Sequence, residues 1–594
     1  MTTTVGHLLL NDVLPSSHQI TGSVNKKQLN TLMVDLAHKD PQLYVETIGK
    51  LKRVGDAVST DTGITVGLDD IEPDYAARDR ILEPALTAIR KTKDPAKRIK
   101  IIQETQQKLV ESTKTHPGQM TAMAISGARG KINQLMRTVT SPVAAVDDQQ
   151  NTIPWLISKS YAEGLKPADN WIALQEARRN AVESFTAVSA PGEVNKTLVN
   201  NMTDQIITMP DCGTRNGISM DMTDSNAIDR YRADTGELVT PQNIRNWQEQ
   251  GTKQLRVRSP MTCEAPDGMC QKCYGLNTRG KLPTLGHNVG MIAAHAMGEM
   301  LTQTALNAKH ATRTVSAQKA VLNGIAGFKQ LTDIPQSFFN KATLASHTGT
   351  VTSVKSAPQG GHYVYVDKDE HYVTPNLNVM VRKGNHVDAG DILSEGIPKP
   401  DEVVAYKGLG AGRKYLIDSL YDLYQRSGVD LDKRHFELLA KTDLNYVRML
   451  DRDSSALGVM RGDVIDYNRF RASIADQAKA VSVAEAVGNT LGNSVLHYTV
   501  GTRVTPSIAQ EFIRAGITSV PVSPRIPLHE AVMKPITRTP LLHPDFLAKL
   551  AHRNLKNVIL EGAAFGEMSD IHGTHPVPAF VYGEEFGRGA KGRY

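Results

Sequence analysis

The stretch Pro260–Gly275 reads PMTCEAPDGMCQKCYG and sets Cys263, Cys270 and Cys273 in a C-x6-C-x2-C run. A structural zinc ion wants four protein ligands, and this run supplies three. The one further cysteine in the chain is Cys212, in MPDCGT, well upstream. A metal joining the two places closes a long loop. Cys270-x-x-Cys273 is a common zinc half-site, and Gly268 and Gly275 on either side suit a tight backbone path. Four thiolates give a closed tetrahedral site with no open position for water, which makes it structural. Such a clip adds on the order of 10 kcal/mol to local folding. The bland reading is four unrelated buried thiols. So few cysteines in a large chain are a poor disulfide framework but a sufficient metal site. The clip would hold the Cys212 segment against Cys263–Cys273 and fix the register of whatever flanks them.

The rest of the chain bounds what those flanks can be. At 594 residues it is too long for a single core, so several domains are expected. It is 40% hydrophobic and 22% charged, with mean hydropathy −0.31, which is ordinary for a globular protein. Sixty-eight basic against 62 acidic residues leave +6 and a pI near 8.8. That excess is compatible with nucleic acid without demonstrating it. The first residues, MTTTVGHLLLNDVL, lack the basic region and the apolar length of a signal peptide. No apolar run approaches the roughly 20 residues of a membrane helix. The chain reads as soluble and intracellular.

After the clip comes GHNVGMIAAHAMGEMLTQTALNAKHATRT, Gly286 to Thr314. Val289, Ile292, Ala293, Ala296 and Met297 follow helical spacing and predict an apolar face. Further on, Gln303, Leu306, Asn307 and His310 fall at i, i+3, i+4 and i+7, one face carrying two amides, an apolar side chain and an imidazole. That face suits a small polar ligand; taken alone, a solvated helix surface is the readier explanation. Before the clip, Lys166 to Leu198 is helical in composition and is interrupted by Pro191-Gly192. Proline removes one helical hydrogen bond, so a bend or an end is expected there. Two helices with a turn, or one long helix built to flex, both fit. Residues 347 to 396 alternate with period two between turn signals and predict a small antiparallel barrel. Residues 402 to 444 and 544 to 565 are helical by periodicity.

At this point a resemblance emerges. The order of these features resembles the C-terminal half of the beta-prime (largest) subunit of multisubunit DNA-dependent RNA polymerase. DCGT and SPMTCEAPDGMCQKCYG are similar in context and spacing to the second zinc site of bacterial beta-prime. GHNVGMIAAHAMGEMLTQTALNAKH resembles the start of the trigger loop, and the interrupted helix resembles the bridge helix. TGITVGLDDI (Thr62–Ile71), MAISGARGKINQLMR (Met123–Arg137), VRKGNHVDAGDILSEG (Val381–Gly396) and PITRTPLLHPDFLAKLAHRNLKNVILEGAAFG (Pro535–Gly566) continue the likeness in the family's order. Met300-Leu301 replaces the family's Pro-Gly, and Lys309 stands where the family has Phe. The family's Asn-Ala-Asp-Phe-Asp-Gly-Asp motif does not occur in the chain. The expectation is therefore a split subunit, a form this family has in archaea, cyanobacteria, plastids and giant bacteriophages; the short loop and the divergent trigger-loop residues favour the giant-bacteriophage type.

The resemblance implies a multidomain α+β fold, mainly helical, with bridge helix, trigger loop, zinc subdomain and small β-barrel. Residues 1–115 would form a helical region like the secondary-channel rim. Residues 116–200 would be an F-loop-like segment and bridge helix, 201–285 the zinc subdomain, and 286–330 the trigger loop. Residues 331–400 would be the barrel, and 401–594 the C-terminal clamp, switch and anchor region. By the same likeness Gln303 sits near the ribose, Leu306 stacks on the nucleobase, and Asn307 and His310 face the phosphates. Lys309 adds positive charge near the nucleotide path. Val188 and Ser189 line the site opposite the template base. Arg129, Arg178, Arg179 and Lys196 are candidates for nucleotide or nucleic-acid contact. Cys212, Cys263, Cys270 and Cys273 would bind structural zinc, while catalytic magnesium would be held by a partner chain's aspartates. The implied partners are an N-terminal beta-prime-like chain, beta-like subunits, a promoter-specificity factor, template DNA, RNA and NTPs. The implied location is the cytoplasm of a bacterial host, or the virion of a phage. The rival class is a non-catalytic zinc-containing scaffold or regulator with a polymerase-derived fold.

Overall fold

The computed structural model describes residues 3–63, 65–147, 151–186, 189–252, 254–308, 324–451, 459–474 and 477–584. They are mixed α+β and fall into two compact units, one ending at Thr186 and the other containing the rest.

The first unit is helical, and its helices begin where the sequence supplies caps. Asn25 and Gln28 form a capping box on Lys26–Lys39. Asp40 and Asp94 cap Pro41–Thr62 and Pro95–Thr113, each with proline in the first turn, where its missing N–H costs nothing. Leu82, Ile102, Leu109, Met136 and Val143 form one core of this unit, and Leu14, Ile20, Met33 and Leu36 a second. Helix Pro167–Thr186 is tied down by two contacts: Trp155 Nε1 donates to Asp169 Oδ1 at 2.9 Å, and Arg137 pairs with Glu176 at 2.9 Å.

In the second unit the helix Ser189–Met202 runs through Pro191 and Gly192 without interruption, contrary to the expected break there. Pro191 falls in the first turn, where no backbone acceptor awaits its missing N–H. Residues 187 and 188 lie outside the described set. This helix packs closely on Val289–Ala308. Glycine makes the approach possible: an added Cβ at Gly290 would lie 1.9 Å from the Met202 carbonyl oxygen, and at Gly298 2.3 Å from Asn195 Oδ1. The buried face of Val289–Ala308 is Val289, Ala293, Ala294, Met297 and Leu301. Ile292, expected on it, is 41% exposed. The face follows the crossing glycines rather than the largest side chains.

Helix Pro400–Arg426 is kinked at Gly408 (φ 84°), and Lys433–Asp443 follows it, so the periodic stretch 402–444 is two elements. Residues 544–565 likewise resolve into a short 3-10 turn, Leu547–Ala551, and a helix, Leu555–Phe565. The alternating segment forms a four-stranded antiparallel sheet in the order Asp369–Val373, His362–Val366, Gly349–Ser356, His386–Val387. The ladder is open at both edges among the described residues. VMVRKG, expected as a strand, contributes only a bridge, Val379 with Ser394. Its Gly384 N–H donates to the distant Val351 carbonyl, and Asn385 closes a turn on the Arg382 carbonyl, which ends any ladder early.

Gly290→Ala is expected to destabilise the second unit by about 2 kcal/mol, since a backbone carbonyl must move to admit the methyl group. Gly49→Ala, in an open position of helix Pro41–Thr62, should instead be neutral or mildly stabilising. Thermal denaturation of the two variants distinguishes them, and equal effects would contradict the packing described.

Candidate metal centre and its surroundings

The four cysteines reach one point from four local structures, Cys273 from the helical turn Gln271–Tyr274. Cys212 follows the strand Ile207–Met209, Cys263 follows a 3-10 turn at Pro260–Thr262, and Cys270 ends the strand Met269–Cys270. The two strands pair in parallel, Ile207 with Met269 and Met209 with Cys270, which brings the cysteine hairpin beside the Cys212 segment. Gly268 turns into that strand with φ 59°, and an added Cβ would lie 2.3 Å from the Ile206 carbonyl oxygen. A side chain there would pry the strands apart.

All four sulfurs lie within 4.8 Å of one another. Cys212 and Cys273 are 3.7 Å apart, and Cys212 and Cys263 3.9 Å. Four sulfurs at about 2.3 Å from a tetrahedral ion stand about 3.8 Å apart. The observed spacing therefore fits such an ion. Cys263, Cys270 and Cys273 are buried and Cys212 is half-buried. The surroundings also suit thiolates. Arg258 Nη2 points at three sulfurs, Cys212 at 3.2 Å, Cys273 at 3.3 Å and Cys270 at 3.6 Å. Its Nη1 pairs with Asp211 at 2.7 Å. Backbone N–H groups of Cys270 and Cys273 donate to the sulfurs of Cys263 and Cys270 at 3.5 and 3.3 Å. Crowding makes the thiols titrate as a unit. Hydrogen bonds from Cys263, Cys270 and Cys273 pull the Cys212 thiol far below its ordinary range, while Cys212 and Cys263 push Cys270 and Cys273 up. Although burial opposes its charge, the neighbouring sulfurs, led by Cys273, and the Asp211 carboxylate hold Arg258 firmly protonated.

One helix face fastens this subdomain to the unit's core. On Lys433–Asp443, residues 434, 437 and 441 project together. Glu437 accepts both Arg230 Nη1 and Nη2, at 2.8 and 2.7 Å, and Ser259 Oγ at 2.6 Å, with its carboxylate and the guanidinium essentially sealed from solvent. Arg434 Nη1 donates to the carbonyls of Tyr274 and Leu276 at 2.9 and 2.7 Å, and Lys441 to that of Gly268 at 3.1 Å.

The neighbouring helices are also stitched together at their ends. Asn288 caps Val289–Ala308 by accepting the Met291 N–H at 2.8 Å while its amide reaches the Thr203 carbonyl at 2.7 Å. The Ile536 N–H donates to the Thr332 carbonyl at 3.0 Å, and its carbonyl accepts Asn201 Nδ2 at 2.9 Å. Thr539 Oγ1 donates to Asp443 Oδ1 at 2.6 Å. Burial pushes the Asp443 carboxyl up to about 7, with Asp333 adding to the effect.

The remaining sequence candidates are dispersed. Gln303 is exposed on Val289–Ala308 and donates to Glu299 at 3.1 Å. Leu306 and Asn307 belong to that helix, and their side chains lie outside the described set, as do Val188, Lys309 and His310 altogether. Ser189 and Lys196 are exposed on Ser189–Met202. In the first unit, Arg129 is exposed in the loop after Gln119–Ser126, while Arg178 is exposed and Arg179 half-buried on Pro167–Thr186. Sequence reasoning missed Arg258, Arg230, Glu437, Arg434 and Lys441. Proximity of Arg258 to the cysteine run was a signal for the first; the others meet partners far along the chain.

Comparison with known proteins fits this arrangement. Residues 164–360 and 363–465 match the family model described as RNA polymerase Rpb1, domain 5, and the chain belongs to that family. It is 27% identical over 519 residues to the DNA-directed RNA polymerase subunit beta' of Kineococcus radiotolerans, covering 79% of this chain and 40% of that protein. The beta' subunit of Acetivibrio thermocellus is 26% identical over 545 residues, 81% of this chain and 46% of that protein. That of Streptomyces avermitilis is 27% identical over 520 residues, 79% and 39%. The chain thus spans about two fifths of the length of the curated relatives it matches. Among the described residues no helix is long and apolar enough to cross a membrane.

Cys263→Ser should strip the bound metal, read as metal content of the purified chain by atomic absorption; full retention would sink the four-thiolate site. A second expectation concerns pH. Asp443 has a folded-state pKa above its ordinary value near 3.9, so its contribution to stability is complete below that value and is lost as pH rises through about 7. Asp443→Asn should flatten the fall in denaturation midpoint between pH 4 and 8, and an unaltered slope would show that Asp443 is not its source.

Proposed function

We propose that this chain is the C-terminal beta-prime part of a multisubunit DNA-dependent RNA polymerase, with zinc as the ion of its four-cysteine site. The observation that carries the reading is the family match across residues 164–465, spanning the cysteine cluster and the helices around it. Alignment with beta' subunits along some four fifths of the chain supports it. Four soft thiolates in tetrahedral spacing favour zinc among the common metals.

In this reading the chain positions substrates for nucleotidyl transfer. Catalytic magnesium would clamp the attacking and leaving oxygens, its carboxylate ligands lying outside this chain. Helix Val289–Ala308 is the first arm of the trigger loop, and Gly324–Asp333 is the arm that returns. Gln303 meets the ribose, Leu306 stacks on the base, and Asn307, Lys309 and His310 approach the phosphates. Asn307 offers a neutral amide and draws phosphate less than a guanidinium would. His310 donates a hydrogen bond or a proton toward the leaving pyrophosphate. Helix Ser189–Met202 is the C-terminal part of the bridge helix, with Val188 and Ser189 beside the template base. Arg129, Arg178, Arg179 and Lys196 contact nucleotide or nucleic-acid phosphates, and each phosphate neutralised steepens the salt dependence of binding. The short connection between His310 and Gly327 leaves no room for large trigger-loop insertions and favours the giant-phage type.

In the assembled polymerase, His310→Ala should slow nucleotide addition at least about tenfold while leaving assembly intact. Single-turnover extension of a preformed RNA–DNA scaffold reads this directly. An unchanged rate would overturn the trigger-loop assignment. Failure of the purified assembly to incorporate NTPs at all would favour the scaffold reading instead.

A further inference from the structure

The stretch Arg90–Lys100 reads RKTKDPAKRIK and sets Arg90, Lys91, Lys93, Lys97, Arg98 and Lys100 against one carboxylate, Asp94. These eleven residues therefore hold +5, where all 594 together hold +6. They form one end of a helical hairpin in the first unit. Helix Tyr75–Lys91 ends there, residues 92–94 make the turn, and helix Pro95–Thr113 runs back against it. Leu82 and Ala85 on one helix, with Ile102 and Leu109 on the other, bury the apolar side. Five of the six cations are exposed, and Arg98 is half-buried, its Nε–H donating to the Thr92 carbonyl at 2.6 Å.

The fold does not account for this charge. Arg90 and Lys91 suit the last turn of their helix, whose carbonyl end attracts cations. Lys97, Arg98 and Lys100 sit near the start of the next helix, where the dipole repels them and acidic residues would be favoured. Asp94 is engaged as the helix cap, accepting the Ala96 N–H at 2.9 Å. None of the six cations makes an ion pair among the described residues. Elsewhere in the unit, exposed helix lysines are matched with acids three or four residues away: Lys39 with Asp35, Lys50 with Glu46, Lys52 with Asp56 and Lys114 with Glu111. A solvated helix surface takes that paired form. The hairpin end is charge left unmatched.

We infer that this end of the hairpin binds the phosphate backbone of a double-stranded nucleic acid without reading its sequence. The cations occupy one turn and roughly 10 Å of helix axis, and a duplex presents a phosphate about every 1.7 Å of its own axis. The segment contains no aromatic residue on which unpaired bases could stack. No large apolar side chain is exposed between residues 76 and 124, so the surface lacks both a wedge for a bilayer and the apolar centre of a protein interface. Four of the six cations are lysines, mobile point charges that suit phosphates better than base edges. The surface adds to the polymerase reading and does not rest on it: loss of the trigger-loop assignment would leave it standing.

Fluorescence anisotropy of the full chain with a fluorescein-labelled mixed-sequence DNA duplex of about 20 base pairs, across a KCl series, tests it. The triple variant Lys93→Gln, Lys97→Gln, Lys100→Gln should bind at least about tenfold more weakly at low salt, and its slope of log affinity against log salt should be shallower by about 2 to 3. Its denaturation midpoint should hold or rise slightly, because two of the lost charges oppose the helix dipole; a marked fall would make the cluster structural and count against the proposal. The control Lys26→Gln, Lys27→Gln, Lys368→Gln removes the same charge from exposed positions elsewhere and should keep the parental slope. A duplex of unrelated sequence should bind the parent equally well. No duplex binding by the parent, the parental slope in the hairpin variant, or an equal change in the control overturns the proposal. So does a hairpin variant that keeps the duplex but loses a polyglutamate peptide that the parent holds, which would assign the surface to an acidic protein.

Discussion

Four sulfurs crowded within 4.8 Å set a constraint that the second unit is built around. As thiolates they repel, and as thiols they make poor hydrogen bonds; a cation among them removes both problems at once. The protein supplies part of that cation itself, in the form of Arg258, and uses Asp211 to hold the guanidinium in place. Because Cys212 comes from a separate segment, closing the cluster also decides the pairing of Ile207–Met209 with Met269–Cys270. Local secondary structure here follows from ligand geometry.

A cluster closed only on itself would be a bead on a string. Helix Lys433–Asp443 prevents this by presenting Arg434, Glu437 and Lys441 along one face. The Arg230–Glu437 pair is sealed from water, so most of its attraction is spent on desolvation. Its effect is on specificity: with either partner displaced, a bare charge remains in the interior. Only one seating of the subdomain on the helix satisfies Arg230, Ser259, Tyr274 and Gly268 together. That seating carries the start of Val289–Ala308 with it, since Gln205 and His287 bracket the same strand.

Legibility in the sequence followed the range of the interactions. Helix caps such as Asn25-x-x-Gln28 and Asp40-Pro41 are local and readable. The cysteines were readable because the chain contains so few, and their convergence needs no other residue to be guessed. The open sheet was read as strands correctly but extended too far, because VMVRKG alternates without having a partner to pair with. The break expected at Pro191 is absent because the proline falls in the first turn of Ser189–Met202, where no helical hydrogen bond is lost. The Arg230–Glu437 pair was invisible: both residue types are abundant on surfaces, and nothing local marks a burial created by two distant segments. The family resemblance reached where periodicity could not, because order along the chain survives when individual positions diverge.

Burial along Val289–Ala308 bears on what the proposed trigger arm can do. Val289, Ala293, Met297 and Leu301 are all but sealed from solvent, and Tyr424 Oη adds a hydrogen bond to the Met297 carbonyl at 3.0 Å. Thr302, Gln303 and Thr304 are half-buried or exposed. Displacing the helix anywhere before Leu301 would expose large side chains at roughly 1.5 to 3 kcal/mol each. Rearrangement beyond that turn meets no such cost at Gln303. The helix Gly324–Asp333, the proposed returning arm, is buried at Phe328 and Leu331, and in its last turn the Thr332 carbonyl is bonded to Ile536 while Asp443 takes Thr539 from the same segment. The described ends of the proposed trigger segment are thus fixed by burial, up to Leu301 on one side and from Phe328 on the other. Fixed feet on both sides are what gating by closure would demand of this chain.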